Sequence, residues 1–248
     1  MVVWDQVGPG NRVYGADKIW RQLNREGVPV ARCTVERLMR DLGICGVGTR
    51  LKKPRTTVVD PAAARPSDLL ERDFTAGAPN TRWVADITYV LTEHDGWCYT
   101  AFIMDCFSRA IVGWACSDRM QTELVLDAFE MAVWARKQHL SDGLVHHSDR
   151  GSQYTSICYT DRLAELGVAR SVGSKGDSYD NAAAESLNSL YKREIIDRLG
   201  PWNDLADVTK NTMNWVAWYN SERLHSYCDG VPPFEYEEAF YRAHTTAA

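Results

Sequence analysis

The sequence predicts an α/β fold in which a mixed five-stranded sheet is flanked by helices and preceded by a small helical module. Three observations support this prediction. Residues 82–91 alternate between two sets of side chains with the period of a strand. Two further strand-like segments follow at once, and helical and strand-like segments then alternate to about residue 172. Such an order places helices on both faces of a sheet.

The boundaries of the predicted elements follow from the spacing of apolar residues. Strands are expected at residues 82–91, 97–106, 110–116, 144–147 and 168–172, and helices at 122–136, 159–166, from 181 onward and at 204–219. In the first strand, Val84, Asp86 and Val90 are expected to share one face. This order of elements is that of a ribonuclease H-like fold.

The first residues of the chain predict two short helices, at 16–25 and 33–42, separated by a turn that contains glycine and proline. In the second helix, Arg37 and Arg40 are expected to face solvent. The residues expected to face inward are Val35, Leu38, Met39 and Leu42. This outline is typical of a helix-turn-helix that binds DNA, although a plain helical hairpin accounts for it equally well.

The chain divides into four predicted regions. These are a helix-turn-helix module at 1–48, a basic, proline-containing linker at 49–78, a catalytic core at 79–200 and a helical C-terminal extension at 201–248. The linker carries Lys52, Lys53 and Arg55. A basic segment of this kind can follow a phosphate backbone, but it can equally be a simple tether.

Charge and composition narrow the classes of protein. The net charge is −5, yet residues 1–60 contain eleven Lys or Arg against six Asp or Glu, so a basic segment precedes an acidic body. The seven cysteines are odd in number and none form a C-x-x-C pair, which favours reduced, mostly buried thiols over disulfides or a zinc site. No apolar run approaches the roughly 20 residues of a membrane span and no signal peptide is evident, so we expect a cytoplasmic protein.

Two aspartates occupy unusual positions in the predicted sheet, one in the middle of a strand and one just after a strand. Asp86 lies in mid-strand between apolar neighbours, where a carboxylate is costly to bury without a partner; a hydrogen bond to Thr88 is the alternative explanation. Asp149 follows the fourth strand directly, and ligands bind at the C-terminal ends of strands in open α/β sheets. A helix-capping role is the alternative for Asp149.

A third carboxylate, Glu185, follows three small residues at 182–184 near the start of a helix. A lone helical glutamate is usually a solvated surface charge, but small neighbours would let this helix approach the sheet closely. Asn181, Glu185, Asn188 and Lys192 form a polar stripe on one side of the helix. Together the three carboxylates suit two-metal phosphoryl transfer, in which Mg²⁺ or Mn²⁺ ions bind the attacking and leaving oxygens.

At these residues the sequence resembles the DDE transposases of bacterial insertion sequences, in particular the second-reading-frame products with a retroviral integrase-like core. The catalytic-core motifs are WVADITY at 83–89, HHSDRGSQY at 146–154, DSYDNA at 177–182 and ES at 185–186. The flanking motifs are YG at 14–15, TVERLM at 34–39, LYKRE at 190–194, WYN at 218–220, RLH at 223–225 and PP at 232–233.

The resemblance implies that Asp86, Asp149 and Glu185 are the catalytic residues and bind Mg²⁺, for which Mn²⁺ substitutes. It implies cleavage and strand transfer at the inverted-repeat ends of an insertion sequence, without a covalent protein–DNA intermediate. The resemblance assigns no metal-binding role to His146 and His147, so we expect these side chains to pack or to form hydrogen bonds at the end of the strand. The residues expected to bind DNA are Arg37, Arg40, Lys52, Lys53, Arg55, Arg150, Lys175, Asn181, Lys192 and Arg193.

The expected partners are the terminal inverted repeats, target DNA and other copies of the chain assembled on DNA. Members of the family usually carry more sequence before the helix-turn-helix, so we expect either a truncation or dependence on an upstream-frame DNA-binding product. Two other functions compete with the transposase: a regulator that only binds element ends, and a nuclease of RNA–DNA hybrids. The helix-turn-helix and the segment around Lys192 have no obvious use in such a nuclease.

Overall fold

The structure is a computed structural model that describes residues 12–47, 74–140, 142–149, 151–172 and 181–245. Its sheet contains β1 (Arg82–Leu91), β2 (Trp97–Asp105), β3 (Ile111–Ser117), β4 (Val145–Ser148) and β5 (Ala169–Val172). The strand order is β3-β2-β1-β4-β5, with β1, β2 and β3 antiparallel and with β4 and β5 parallel to β1. The predicted mixed five-stranded sheet is therefore confirmed.

Six of the helices begin within two residues of a predicted segment, whereas those at 152–155, 197–199 and 233–245 were not predicted as separate helices. The helices are α1 (Ala16–Arg25), α2 (Arg32–Asp41), α3 (Thr122–Arg136), α4 (Ser152–Thr155), α5 (Ile157–Glu165), α6 (Ala182–Tyr191), α7 (Asp197–Leu199), α8 (Leu205–Ser221) and α9 (Pro233–Thr245). A π-helical turn, Lys192–Ile196, joins α6 to α7. Within the described ranges, no helix has both the length and the apolar character needed to cross a membrane.

The sheet separates two hydrophobic cores. Val84 and Val90 of β1 point into the core formed with α6 and α8, whereas Ala85 and Ile87 point into the core formed with α3 and α5. The predicted alternation along β1 is confirmed. Gly113 of β3 allows α3 to lie close, because a Cβ atom there would stand 2.1 Å from the carbonyl oxygen of Ala128.

The helix-turn-helix module packs on the body through the first of these cores. Ile19 belongs to the same apolar cluster as the residues of α6 and α8. Tyr14 accepts a hydrogen bond from the backbone N–H of Leu224 at 2.8 Å. Arg25 forms an ion pair with Glu235 of α9 at 2.6 Å. The body therefore covers one side of the module.

Two predictions of burial were wrong. Leu38 and Leu42 are exposed, because α2 packs along the narrow line of Val35 and Met39 only. All seven cysteines are free, but fewer of the thiols are buried than expected: Cys33, Cys45 and Cys158 are exposed. In both cases exposure depends on the surface opposite the side chain, which the neighbouring residues in the sequence do not specify.

A buried ion pair attaches α9 to the catalytic body. Arg136, at the end of α3, forms an ion pair with Glu237 at 2.6 Å, and Ser108 donates a further hydrogen bond to Glu237. Both charged side chains are almost wholly buried. Removal of one partner would leave the other charge buried and unpaired, which is costly.

We expect Glu237→Ala to lower the free energy of unfolding by about 3 kcal/mol, because Arg136 would keep an uncompensated charge. Urea denaturation followed by tryptophan fluorescence measures this change. The matched control is Glu130→Ala, which removes a more exposed partner of Arg162 and should cost about 0.5 kcal/mol. Equal losses from the two variants would contradict the prediction.

Candidate active site

Asp86 and Asp149 are brought together at the point where β4 ends beside β1. The parallel ladder pairs Ala85 with Ser148, so the next residue of each segment is one of the two aspartates. Asp86 accepts a hydrogen bond from its neighbour's backbone N–H, that of Ile87, at 2.9 Å. Asp149 accepts one from the backbone N–H of Gly151, also at 2.9 Å. Both carboxylates are thus oriented by the backbone.

Helix α6 brings Glu185 to the same place. Its first residues are small, and the buried Ala184 lies in the core beneath the sheet. Just before the helix, Asn181 donates its side-chain N–H to the carbonyl of Ala85 at 3.0 Å. Glu185 lies in the first turn and is half-buried, rather than a fully solvated charge.

The chain segment that continues from α6 is also anchored within the π-helical turn. Glu194 accepts hydrogen bonds from the guanidinium of Arg223 and from the indole N–H of Trp215. Both Glu194 and Arg223 are buried. The helix that carries Glu185 is therefore held at its start by the strand and at its far end by a buried ion pair.

The three carboxylates act on one another electrostatically. Burial of the carboxyl group, together with the charges of Asp149 and Glu185, raises the pKa of Asp86 to about 8, although hydrogen bonds from Ile87 and Asn188 oppose the rise. Burial also raises the pKa of Asp149, against the hydrogen bond from Gly151 and with Glu185 adding to the rise. These shifts place the three groups in one electrostatic site.

A divalent cation fits the chemistry of this donor set. Hard ions such as Mg²⁺ prefer carboxylate oxygens, and a positive charge would offset both the burial and the mutual repulsion. Among the residues that the structure describes, no group of three or more His, Cys, Asp or Glu side chains is already assembled as a metal site.

The two histidines before Asp149 are structural in their observed contacts, as predicted. His146 is buried and shares a hydrogen bond of 2.6 Å with the hydroxyl of Tyr159. Burial lowers the pKa of His146 to about 3, so its ring is neutral. His147 is also buried and shares a hydrogen bond of 2.8 Å with the hydroxyl of Ser171.

The residues expected to bind DNA fall in different places. Arg37 and Arg40 are exposed on α2, where Arg37 forms an ion pair with Asp41 at 3.3 Å. Asn181 is buried against β1. The two cations after α6 are both half-buried, Lys192 over the ring of Tyr89 and Arg193 bonded to the Ser189 carbonyl. Those outside the described residues are Lys52, Lys53, Arg55, Arg150 and Lys175.

Known proteins match this arrangement over most of the chain. Residues 76–178 and 166–233 match families described as integrase core domain, and residues 5–53 match one described as HTH-like domain. A protein named as transposase for insertion sequence element IS986/IS6110 of Mycobacterium tuberculosis is 54% identical over 233 residues, which are 92% of this chain and 83% of the relative. The chain belongs to the transposases of bacterial insertion sequences.

A second relative agrees with that assignment, and a solved structure shares the fold. The transposase for insertion sequence element IS629 of Shigella sonnei is 52% identical over 231 residues, covering 93% of this chain and 76% of the relative. A simian T-cell lymphotropic virus intasome solved by cryo-electron microscopy has the same fold, with a TM-score of 0.54 at 13% identity over 88% of this chain and 70% of that one. The integrase core makes this transposase a polynucleotidyl transferase.

The structure adds one residue to the site that sequence reasoning did not assign a role. Asn188 is buried and donates its side-chain N–H to the second carboxylate oxygen of Asp86 at 2.9 Å. Its position three residues after Glu185 on the predicted polar stripe was the available signal. Sequence alone did not show which partner that stripe would meet.

We expect Asn188→Ala to lower the activity of the transposase about tenfold to a hundredfold, as for other residues that orient a metal ligand. The lost hydrogen bond favours the charged form of Asp86, so its loss should also shift the pH–activity profile to higher pH. A strand-cleavage assay across pH measures both effects.

The matched control is Asn211→Ala, which removes a similar 2.9 Å bond to Asp207 on α8. This variant should retain both the rate and the profile. An unshifted profile in Asn188→Ala would contradict a positioning role.

Proposed function

We propose that this transposase cleaves DNA at the inverted-repeat ends of its insertion sequence and joins the freed 3′ ends to target DNA, using divalent cations held by Asp86, Asp149 and Glu185. The observation that supports it best is the mutual effect of the three carboxylates. Each comes from a different part of the fold, yet Asp149 and Glu185 both raise the pKa of Asp86. Such mutual opposition among neighbouring carboxylates is typical of functional sites.

When bound, Mg²⁺ or Mn²⁺ would supply an activated attacking oxygen and stabilise the departing one. The protein's own contribution is orientation. The backbone N–H groups of Ile87 and Gly151 fix one oxygen of each aspartate, and Asn188 fixes the second oxygen of Asp86. No serine or tyrosine nucleophile is required in this proposal, because a water or a DNA 3′-hydroxyl attacks the phosphate.

The remaining regions would handle the DNA. We propose that the module at 1–48 binds the terminal repeats through the exposed side of α2, where Arg37 and Arg40 lie. The linker at 49–78 would follow the phosphate backbone, the core at 79–200 would carry out the chemistry, and the extension at 201–248 would hold module and core together. Assembly of several copies on DNA, and use of an upstream-frame DNA-binding product, are part of the same proposal.

The test is an assay with purified protein, a labelled duplex that carries the element's terminal repeat, and Mg²⁺ or Mn²⁺. We expect 3′-end cleavage and strand-joined product, both reduced to background by Glu185→Gln. Glu165→Gln is the matched control, because Glu165 is an exposed glutamate on α5, and it should behave as the unmodified protein. If both the unmodified protein and Glu185→Gln bind the DNA end but form no product, the result would favour a regulator that only binds DNA and would contradict the strand-transferase proposal.

The proposed cations should compete with a proton at Asp86, whose pKa is raised to about 8. Since that carboxyl group holds its proton below this pH, we expect the apparent affinity for Mn²⁺ to rise about tenfold per pH unit from about pH 6 to about pH 8 and then to level off. Calorimetric titration in two buffers of different ionisation enthalpy would show release of about one proton at the lower pH. An affinity for Mn²⁺ that does not change between pH 6 and pH 8 would contradict the assignment of Asp86 as a metal ligand.

A further inference from the structure

Tyr154 lies beside the catalytic aspartates, and the proposed function gives its side chain no role. The residue ends the HHSDRGSQY motif at 146–154 and belongs to α4, the short helix that follows Asp149. A Cβ atom on Gly151 would stand 3.1 Å from Oδ1 of Asp149 and 3.6 Å from Cδ2 of Tyr154. The Asp149 carboxylate and the Tyr154 ring therefore border the same small space.

The hydroxyl of Tyr154 is buried without a hydrogen-bonding partner among the residues that the structure describes. The residue is only 2% exposed, and its ring packs edge-on against Tyr159 with the ring centroids 5.7 Å apart. A buried hydroxyl that makes no hydrogen bond is costly, and such groups are rare in folded proteins. Phenylalanine would fill the same space without that cost, so the hydroxyl needs a physical explanation.

The hydroxyl is a hydrogen-bond donor within the electrostatic field of the two aspartates. Burial, together with the negative charges of Asp86 and Asp149, raises the pKa of Tyr154 well above its ordinary value, so the phenol keeps its proton. Its O–H can therefore donate to a carboxylate. Within the described part of the chain, no direct hydrogen bond joins it to either carboxylate. A single water can bridge two polar groups that are too far apart for a direct bond.

The end of the ladder between β1 and β4 opens a path from Tyr154 to both carboxylates. Tyr154 belongs to the core formed with α3 and α5, whereas Asp86 has the strand parity of Val84, which faces the other core. The ladder ends at the pair of Ala85 and Ser148, so no residue of β4 pairs with Asp86. A water at this end of β4 can therefore contact groups from both faces of the sheet.

We propose that Tyr154 is a positioning residue whose hydroxyl donates a hydrogen bond, through one buried water, to the aspartate pair Asp86 and Asp149. The proposal rests on the proposed function, in which these carboxylates hold divalent cations. The hydroxyl and the two carboxylates supply the few polar partners that a buried water needs. Asn188 then orients Asp86 from the α6 side of the sheet, and Tyr154 orients the pair from the α3 side.

A neutral donor suits this position. A hydrogen bond from a hydroxyl stabilises the charged form of a carboxylate without neutralising it, so the negative charge stays available to a cation. A lysine or an arginine at the same place would compete with the cation for the carboxylates. The hydroxyl therefore orders the proposed metal ligands and leaves their charge unchanged.

The test is a double-mutant comparison of thermal stability without any cation. Tyr154→Phe is introduced into the unmodified chain and into a chain that carries both Asp86→Asn and Asp149→Asn. Each protein is melted in EDTA at a pH of about 9, above the pKa of about 8 of Asp86. We expect Tyr154→Phe to lower the Tm of the unmodified chain by about 4 °C. In the Asn background the fall should be about half as large, because an amide oxygen accepts a weaker hydrogen bond than a carboxylate does.

The second measurement is the affinity for Mn²⁺, by calorimetric titration. Tyr154→Phe should weaken this affinity about tenfold, as for other groups that orient a metal ligand. Tyr159→Phe is the matched control, because it removes a hydroxyl of the same buried cluster that bonds to His146 at 2.6 Å. This control variant should lower Tm equally in both backgrounds and leave the affinity for Mn²⁺ unchanged.

A rise in Tm with Tyr154→Phe in both backgrounds would overturn the proposal, because it would show that the hydroxyl is buried unpaired. An equal fall in both backgrounds, or an unchanged affinity for Mn²⁺, would overturn it as well, since the hydroxyl would then serve only the fold. Failure of the proposed function is recognised separately, because the unmodified protein would then bind no Mn²⁺. The comparison in EDTA involves no cation, so it would still decide whether the hydroxyl contacts the aspartates.

Discussion

The packing of α6 against β1 is the constraint on which the site depends. Asp86 is a carboxylate largely enclosed by protein, and an unsupported charge there would be expensive. The helix supplies the support, because Asn188 donates a hydrogen bond to Asp86 and Asn181 ties the start of the helix to Ala85. The same approach brings in Glu185, which raises the cost of charging Asp86. The packing of α6 against β1 therefore both stabilises the charged form of Asp86, through Asn188, and destabilises it, through Glu185.

The rest of the fold keeps that contact in place. Residues of β1 alternate between two cores, so the strand is packed from both sides. Beyond α6, the buried pair of Glu194 and Arg223 ties the π-helical turn to the residues that follow α8. Tyr14 of the module is bonded to Leu224, the residue next to Arg223. The helix that carries the third carboxylate thus shares one buried cluster with the module that is proposed to bind the element's ends.

Buried charge recurs in this protein in two forms with different consequences. Arg136 and Glu237 neutralise each other, as do Arg223 and Glu194, and both pairs join distant segments of the chain. The carboxylates of the site instead oppose one another, because the charges of Asp149 and Glu185 raise the pKa of Asp86, and a cation would offset that repulsion. An ion pair between two side chains serves the fold, whereas carboxylates that repel one another favour a bound cation.

The sequence by itself determined the local structure: the strand and helix positions, the alternation along β1, and the three carboxylates with their motifs. These are properties of period and order along the chain, which neighbouring residues are enough to specify. Only the tertiary structure decided that Asn188 meets Asp86, that Lys192 meets Tyr89, and that Leu38 and Cys158 are exposed. Those outcomes depend on which surface lies opposite a side chain, and that surface comes from residues far away in the sequence.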